Sequence, residues 1–369
     1  MANFEEFRTL QEFAIEAKLR LSPAVWDFLS GGGESETTLL RNRYAIDSIA
    51  FRPRVLIDVK EPDPSATLLG FNLPYPVVLA PIGSLHLFDP GSAIPSVQAA
   101  GRLGTIPIIS IMTNPVLEEV AKLTDGPKIF QLYVRGDMDW VDNMCDRVKN
   151  SGYDAMAITV DVAHYGRRER DQINRFDRRT HAKRSNLEGI DLDQEFVYRS
   201  ALTWDFVDHV KERIGIPIIL KGIATSEDAK IAVDHGVEVV FVSNHGGRQL
   251  DHGRGAIDVL PEVVEAVGGK AEIIVDGGFL RGSDVLKAVA LGADAVAIGK
   301  LQCWALAAGG EDALVHAMDI MRNELIVSMG LLGVNRINEL GPQHLHPATP
   351  VIPPHLASPY PVFMEKFGD

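Results

Sequence analysis

Eight short, nearly continuous apolar runs recur along the chain, each bounded by turn residues: 75–80 (YPVVLA), 106–110 (IPIIS), 128–133 (KIFQLY), 155–161 (AMAITVD), 216–221 (IPIILK), 237–243 (VEVVFVS), 272–276 (EIIVD) and 294–299 (DAVAIG). Strict polar alternation would mark a sheet with one wet face; continuous runs predict strands covered on both. Segments of helical period lie between the later runs. One, at 226–235, opens within TSED, where a cap residue is followed by acids in the first turn, and stops at Gly236. Another, at 283–291, takes Ser283 as its cap and Gly292 as its stop. Eight strand and helix alternations predict a (β/α)8 barrel, with a doubly wound open sheet as the runner-up.

The remaining segments read as embellishments of one domain spanning 1–369. Residues 1–70 form a helical appendage, with helices at 5–21 and 23–30. The connection at 162–204, after the fourth strand, is too long for a turn and is expected to be a lid. Its GRRERD run (166–171) taken alone would be a solvated charged face. The segment 341–369 is rich in proline and histidine and is expected to form an extended arm.

Composition narrows the class without changing this picture. With 46% apolar and 23% charged residues there is ample core and no bias to disorder. A net charge of −14 argues against a nucleic-acid surface. The two cysteines, Cys145 and Cys303, fall in helical segments and make a disulfide framework an unsuitable reading. No apolar run approaches the ~18 residues of a membrane span, so a cytoplasmic protein without membrane attachment is expected.

A barrel places its chemistry where strands end. The ends of these runs carry Pro81 and Gly83, Ser110, Gln131 and Tyr133, Thr159 and Asp161, Lys221, Ser243 and His245, Asp276 with Gly277 and Gly278, and Gly299 with Lys300; their starts carry mostly proline and surface residues. The last two ends, DGG and IGK, are glycine-rich and sit where barrels commonly bind phosphate, so a phosphorylated ligand is expected, with a large planar cofactor reaching toward Lys221.

The block SNHGGRQLD (243–251), together with FQLY, ITVD, GRRERD, LKG and DGG in this order, resembles the FMN-dependent 2-hydroxy-acid oxidase and dehydrogenase family from about residue 10 to about 339. The resemblance implies the same barrel, FMN as cofactor, a small-molecule substrate, an electron acceptor that is oxygen, a quinone or a protein, and a homotetramer. It casts His245 as the base that takes the substrate proton while the C2 hydrogen leaves for the flavin, and Asp161 as the group that orients its imidazole. Arg248, assisted by Arg168, would clamp the substrate carboxylate, and Tyr133 would bond the reacting oxygen. Lys221 would stabilise charge on the reduced flavin. Pro81, Ile82, Gly83, Ser110, Gln131, Thr159 and Ser243 would surround the ring. Asp276, Gly277, Gly278, Arg281, Gly299 and Lys300 would hold the ribityl and phosphate end. No metal is implied.

The chain also departs from the family pattern. Phe28 stands where a carboxylate-binding tyrosine is usual, Met112 where a tryptophan is frequent, and Tyr165 where a smaller residue is common. These changes predict a substrate bulkier than the simplest 2-hydroxy acids, and leave open a derivative without a free carboxylate. Leu280 occupies the place of an arginine after DGG, and Lys300 that of another, which predicts weaker FMN binding. Gly83, where many oxidases carry alanine, leans toward an acceptor other than simple peroxide-forming oxygen. Two other classes compete: a Schiff-base aldolase built on Lys221, and a flavin-free scaffold.

Overall fold

A computed structural model describes residues 3–177, 185–187, 190 and 195–368. Among these, eight parallel strands form one sheet: β1 (Val77–Leu79), β2 (Ile108–Ser110), β3 (Ile129–Leu132), β4 (Ala155–Thr159), β5 (Ile218–Ile223), β6 (Val239–Val242), β7 (Glu272–Val275) and β8 (Ala295–Ile298). Each falls inside or within two residues of an apolar run identified above. Every strand pairs with its neighbours in chain order, β8 pairs back to β1, and a bridge between Leu79 and Pro107 joins β1 to β2. The fold is a (β/α)8 barrel.

Strand parity builds the interior. Val78, Ala80, Ile108, Ile129, Ala155, Ala157, Ile219, Val239, Phe241, Ile274, Ala295 and Ala297 point inward as one buried apolar cluster. Leu68 and Leu73, from a hairpin made by Ala66–Leu68 and Phe71–Leu73, join that cluster and plug the barrel floor. The alternate strand residues face the surrounding helices and form the larger core. Because side chains repeat every second residue, the next inward positions above the apolar layer are Ser110, Gln131, Thr159, Lys221, Ser243 and Asp276, all buried. A greasy barrel is thus topped by a polar ring.

The N-terminal appendage supplies α1 (Leu10–Arg20), α2 (Pro23–Ser30) and α3 (Thr37–Asp47). The α3 N-terminus is capped from far along the chain, since the Asp251 carboxylate accepts from Thr38 N–H at 2.8 Å. Of the expected lid, the residues at 178–184, 188–189 and 191–194 lie outside those described. Its described parts are tied down: Arg170 bonds Glu36 at 2.6 Å, Asn174 bonds Asp27 at 2.8 Å, and Asn186 accepts from Leu117 N–H at 2.8 Å.

Three expectations need correction. The helix placed at 5–21 is a short 3-10 turn at Phe4–Glu6 followed by α1, which begins only at Leu10 after the extended Thr9. The helix placed at 283–291 is Gly282–Ala290, and its first turn is capped by Asp284, whose carboxylate accepts from the Leu280 and Arg281 N–H groups at 2.9 and 3.1 Å. Ser283 lies inside the helix. The tail after Gly341 is an extended arm only in its first part: 345–347 pairs with the strand Ile49–Phe51 and 351–354 are exposed, but from Leu356 onward the chain is packed, and a terminal helix, Pro361–Phe367, buries Phe363 against Trp26. Its aromatic and aliphatic residues outweigh its prolines, because burying each large apolar side chain contributes about 1.5–3 kcal/mol.

Candidate active site

Half of the polar ring is wired into one network, and Gln131 with Thr159 forms a separate pair at 2.9 Å. The Lys221 ammonium donates to Ser243 Oγ at 2.7 Å and pairs with Asp276 at 3.1 Å, and the Ser243 hydroxyl donates to Asp276 at 2.6 Å. Ser243 Oγ also accepts from the His245 backbone N–H at 3.0 Å. One serine at the end of β6 therefore anchors both the buried lysine and the loop that carries the histidine.

That loop turns abruptly. His245, Gly246 and Gly247 have φ of 59°, 65° and 76°, three consecutive left-handed residues that need glycine at two places and strain the third. A Cβ on Gly247 would stand 2.4 Å from the Leu39 backbone nitrogen, so the loop can lie against α3 only without one. The outcome is a histidine held over the barrel axis.

His245 Nδ1 lies 3.2 Å from both carboxylate oxygens of Asp161, and Nε2 lies 3.3 Å from the Tyr133 hydroxyl. The carboxylate favours the Nδ1–H tautomer and leaves Nε2 as an acceptor facing the cavity. Burial, opposed by Asp161 and aided by the Lys221 and Arg168 charges, sets the His245 pKa below its ordinary value. Burial also works against the Asp161 anion, but the adjacent imidazole and then Lys221 outweigh it and hold that carboxyl below its usual range. Both directions favour the neutral imidazole and the ionised carboxyl.

The cavity above holds about 1400 Å³, part of it open to solvent. Phe28, Pro81, Ile82, Gly83, Met112, Tyr133, Tyr165, Arg168, Lys221, His245, Arg248, Asp276, Gly277, Gly278, Gly299 and Lys300 all line it, while Ser110, Gln131, Thr159 and Ser243 lie in the ring beneath. Arg248 donates to the Leu29 and Gly31 carbonyls at 3.2 and 2.7 Å, placing a cation at the C-terminal end of α2. The Arg248 and Arg168 guanidinium carbons stand 5.2 and 5.9 Å from the Phe28 ring centre. Phe28 thus takes a stacking role where it lacks a hydroxyl. A Cβ on Gly83 would come 3.1 Å from Met112 Cβ, so these two positions are packed against each other. Burial, with Arg248 next, lowers Lys300 to about 7.

Arg281 is the exception among the expected site residues. It points away from the cavity, pairing with Glu324 at 2.6 Å and donating to the Pro359 carbonyl at 2.8 and 3.2 Å. Being one residue later than Leu280 on a turning loop, it faces the helix behind. Arg43, Arg135 and Leu356 also line the cavity, and of these Arg43 and Leu356 carried no signal that singled them out. Arg135 follows Tyr133 by two residues, so continuing the β3 alternation past its end would have found it. Leu356 arrives on the C-terminal segment.

Residues 17–347 match the FMN-dependent dehydrogenase family. Glycolate oxidase 3 of Arabidopsis thaliana is 37% identical over 92% of this chain and 96% of its own length. The chain belongs to this family. L-lactate oxidase of Nostoc sp. is 36% identical over 91% of this chain and 97% of its own length. Among solved structures, a mandelate oxidase variant with (S)-mandelic acid superposes with a TM-score of 0.86 at 34% identity, covering 94% of this chain and 100% of that one. As a family member the protein is an FMN-dependent oxidoreductase acting on CH–OH donors.

The residues present suit that cofactor. Among the described residues nothing donates to the buried Gln131 side-chain oxygen, an acceptor that a flavin imide N–H would satisfy. Gly277 and Gly278, with φ of 106° and 90°, line the cavity and lie so close to Asn42 that a Cβ on either would come within 3.1–3.2 Å of it, so the loop after β7 can pack on α3 only as glycines. No helix among the described residues is long and apolar enough to cross a membrane.

Proposed function

We propose that the protein oxidises the C2 hydroxyl of a 2-hydroxy acid to the 2-oxo acid, with His245 as the base. The observation that carries this is the Asp161–His245–Tyr133 alignment at the cavity floor, with 3.2 Å on one side of the imidazole and 3.3 Å on the other. Bound FMN supplies the two-electron acceptor. Tyr133 and His245 Nε2 would share the substrate hydroxyl, and its proton would pass to Nε2 as the C2 hydrogen departs. The imidazolium formed would be paired with Asp161, which is already anionic and needs no reorganisation. Arg248 and Arg168 would receive the substrate carboxylate, a role their placement beside the base supports and which argues for a free acid over a neutral derivative. Lys221, held by Ser243 and Asp276, would face negative charge on the reduced ring, and Lys300 the phosphate end.

Relatives named for glycolate, lactate and mandelate all fit this reaction class. Anaerobic mixing with a panel of 2-hydroxy acids tests it: the visible flavin band should bleach with at least one of them. The His245→Ala protein should retain FMN and bleach slower by about 100- to 10,000-fold. Unchanged bleaching in that variant removes His245 from the chemistry.

A further inference from the structure

An ammonium in a protein interior keeps its proton only if something stands in for the water it has lost. The Lys221 side chain, at the upper end of β5, is 5% exposed and must meet that condition within its own contacts. Its Nζ lies 4.8 Å from the Phe241 ring centre, donates to Ser243 Oγ at 2.7 Å and pairs with Asp276 at 3.1 Å. The ring and the hydroxyl offer only partial negative charge. Among the other groups that act on it, Asp161 after β4 is turned to His245 Nδ1 at 3.2 Å. His245 after β6, whose pKa burial sets below its ordinary value, brings no negative charge. Gln131 on β3 sends its amide to Thr159 on β4, and Lys300 after β8 is a second cation drawn to the same Asp276. Among the described residues, the full negative charge in contact with the Lys221 ammonium is Asp276.

That carboxylate is fixed at two points. Oδ2 takes the ammonium, and Oδ1 accepts from the Ser243 hydroxyl at 2.6 Å, while Ser243 in turn accepts from Lys221. The triangle holds the carboxylate against the lysine and leaves it little freedom to turn elsewhere. We propose that Asp276 is a positioning residue that acts through Lys221: as its counter-ion it keeps the ammonium protonated, so that bound FMN meets a permanent positive charge. This rests on the oxidation reading above, in which Lys221 faces the reduced ring. It gives the first residue of the DGG run a role apart from holding the ribityl chain. Removing one partner of a buried pair leaves a charge that water no longer supports, and a lysine answers by giving up its proton.

Asp276→Asn removes the charge and keeps the shape. In protein stripped of FMN, a trace of acetic anhydride at neutral pH should acetylate Lys221 at least tenfold faster in the variant, because only the free amine reacts. Peptide mass spectrometry reads this, with the exposed Lys60 and Lys230 as standards. With FMN bound, titration against redox dyes from pH 6 to 9 reads the same change at the flavin. An amine without its counter-ion is charged at low pH and neutral at high pH, so variant and parent should agree near pH 6. Toward pH 9 the variant should lose at least tenfold of its preference for reduced over oxidised FMN, a potential about 30 mV lower for a two-electron couple. A merely structural carboxylate would weaken both redox forms of FMN alike and leave the two curves parallel. Unchanged labelling, or curves that stay parallel, overturns the inference while substrate bleaching leaves the oxidation reading in place; if the variant holds no FMN, labelling alone decides. If Lys221→Met leaves the potential where it was, the lysine does not face the ring, and that part of the reading fails and takes the inference with it.

Discussion

As the proposed base, His245 would accept a proton in surroundings that disfavour its cation, and its pKa is set below the ordinary value by burial against the pull of Asp161. A base works only while neutral, so the acid limb of the flavin-reduction profile should lie below the unperturbed imidazole pKa of about 6.5. Asp161→Asn removes the charge that raises the imidazole pKa, and should therefore move the limb to still lower pH. The same change leaves the developing imidazolium unpaired, so the plateau should fall by roughly 100-fold or more even as the working range widens. Stopped-flow reduction at constant ionic strength from pH 5 to 9 reads both. A limb that moves upward in the asparagine variant contradicts the wiring, since only loss of a desolvating wall would do that. Asp161 was legible in the sequence because it is the polar residue that ends an apolar run, and His245 because it follows the end of another, at Ser243, by two residues. Arg135 was not, because it lies beyond the strand in an irregular stretch where alternation is not guaranteed, and Arg281 was misplaced because a one-residue offset on a loop reverses the side a residue faces.

Among elements, the barrel strands were readable because burial on both faces forces continuous apolar runs, a pattern few alternatives share. The C-terminal segment was not, since its proline content describes the local chain while its packing is decided by distant partners. Tyr360 makes the point: its hydroxyl donates to the Leu280 carbonyl at 2.8 Å, and its ring stands 6.2 Å from that of Trp304. Leu356 reaches the cavity, Ser358 accepts from Arg43 at 3.3 Å, and the Pro359 carbonyl takes Arg281. The segment thus braces the loop after β7 from outside. Ending the chain after residue 354 should lower Tm by about 10 °C, from the loss of three large buried side chains at about 1.5–3 kcal/mol each and a few degrees per kcal/mol. FMN fluorescence, quenched in the complex, should report faster cofactor loss at temperatures well below that Tm. A truncated chain that unfolds earlier but releases FMN at the original rate would confine the segment to a structural role.

At the scale of the molecule, stability and chemistry occupy opposite ends of one barrel. The lower layers are apolar, closed by Leu68 and Leu73, and need nothing from a ligand. The upper ring holds a buried Lys221–Asp276 pair, a strained His245 and an unsatisfied Gln131 oxygen, arrangements that cost free energy until something fills the mouth. FMN binds folded chains only, so at 100 times its dissociation constant it should add about 2.7 kcal/mol to stability. Where that gain appears is the sharper question. If the cost is stored in the ring, removing FMN should increase amide hydrogen exchange in 243–249 and 276–282 while leaving the central residues of β1 to β8 protected. Hydrogen-exchange mass spectrometry of the holo and stripped proteins, matched for concentration and pH, separates the two patterns. Uniform loss of protection through all eight strands would mean that the apolar layers cannot stand alone, and that the cofactor belongs to the core of the fold as well as to its chemistry.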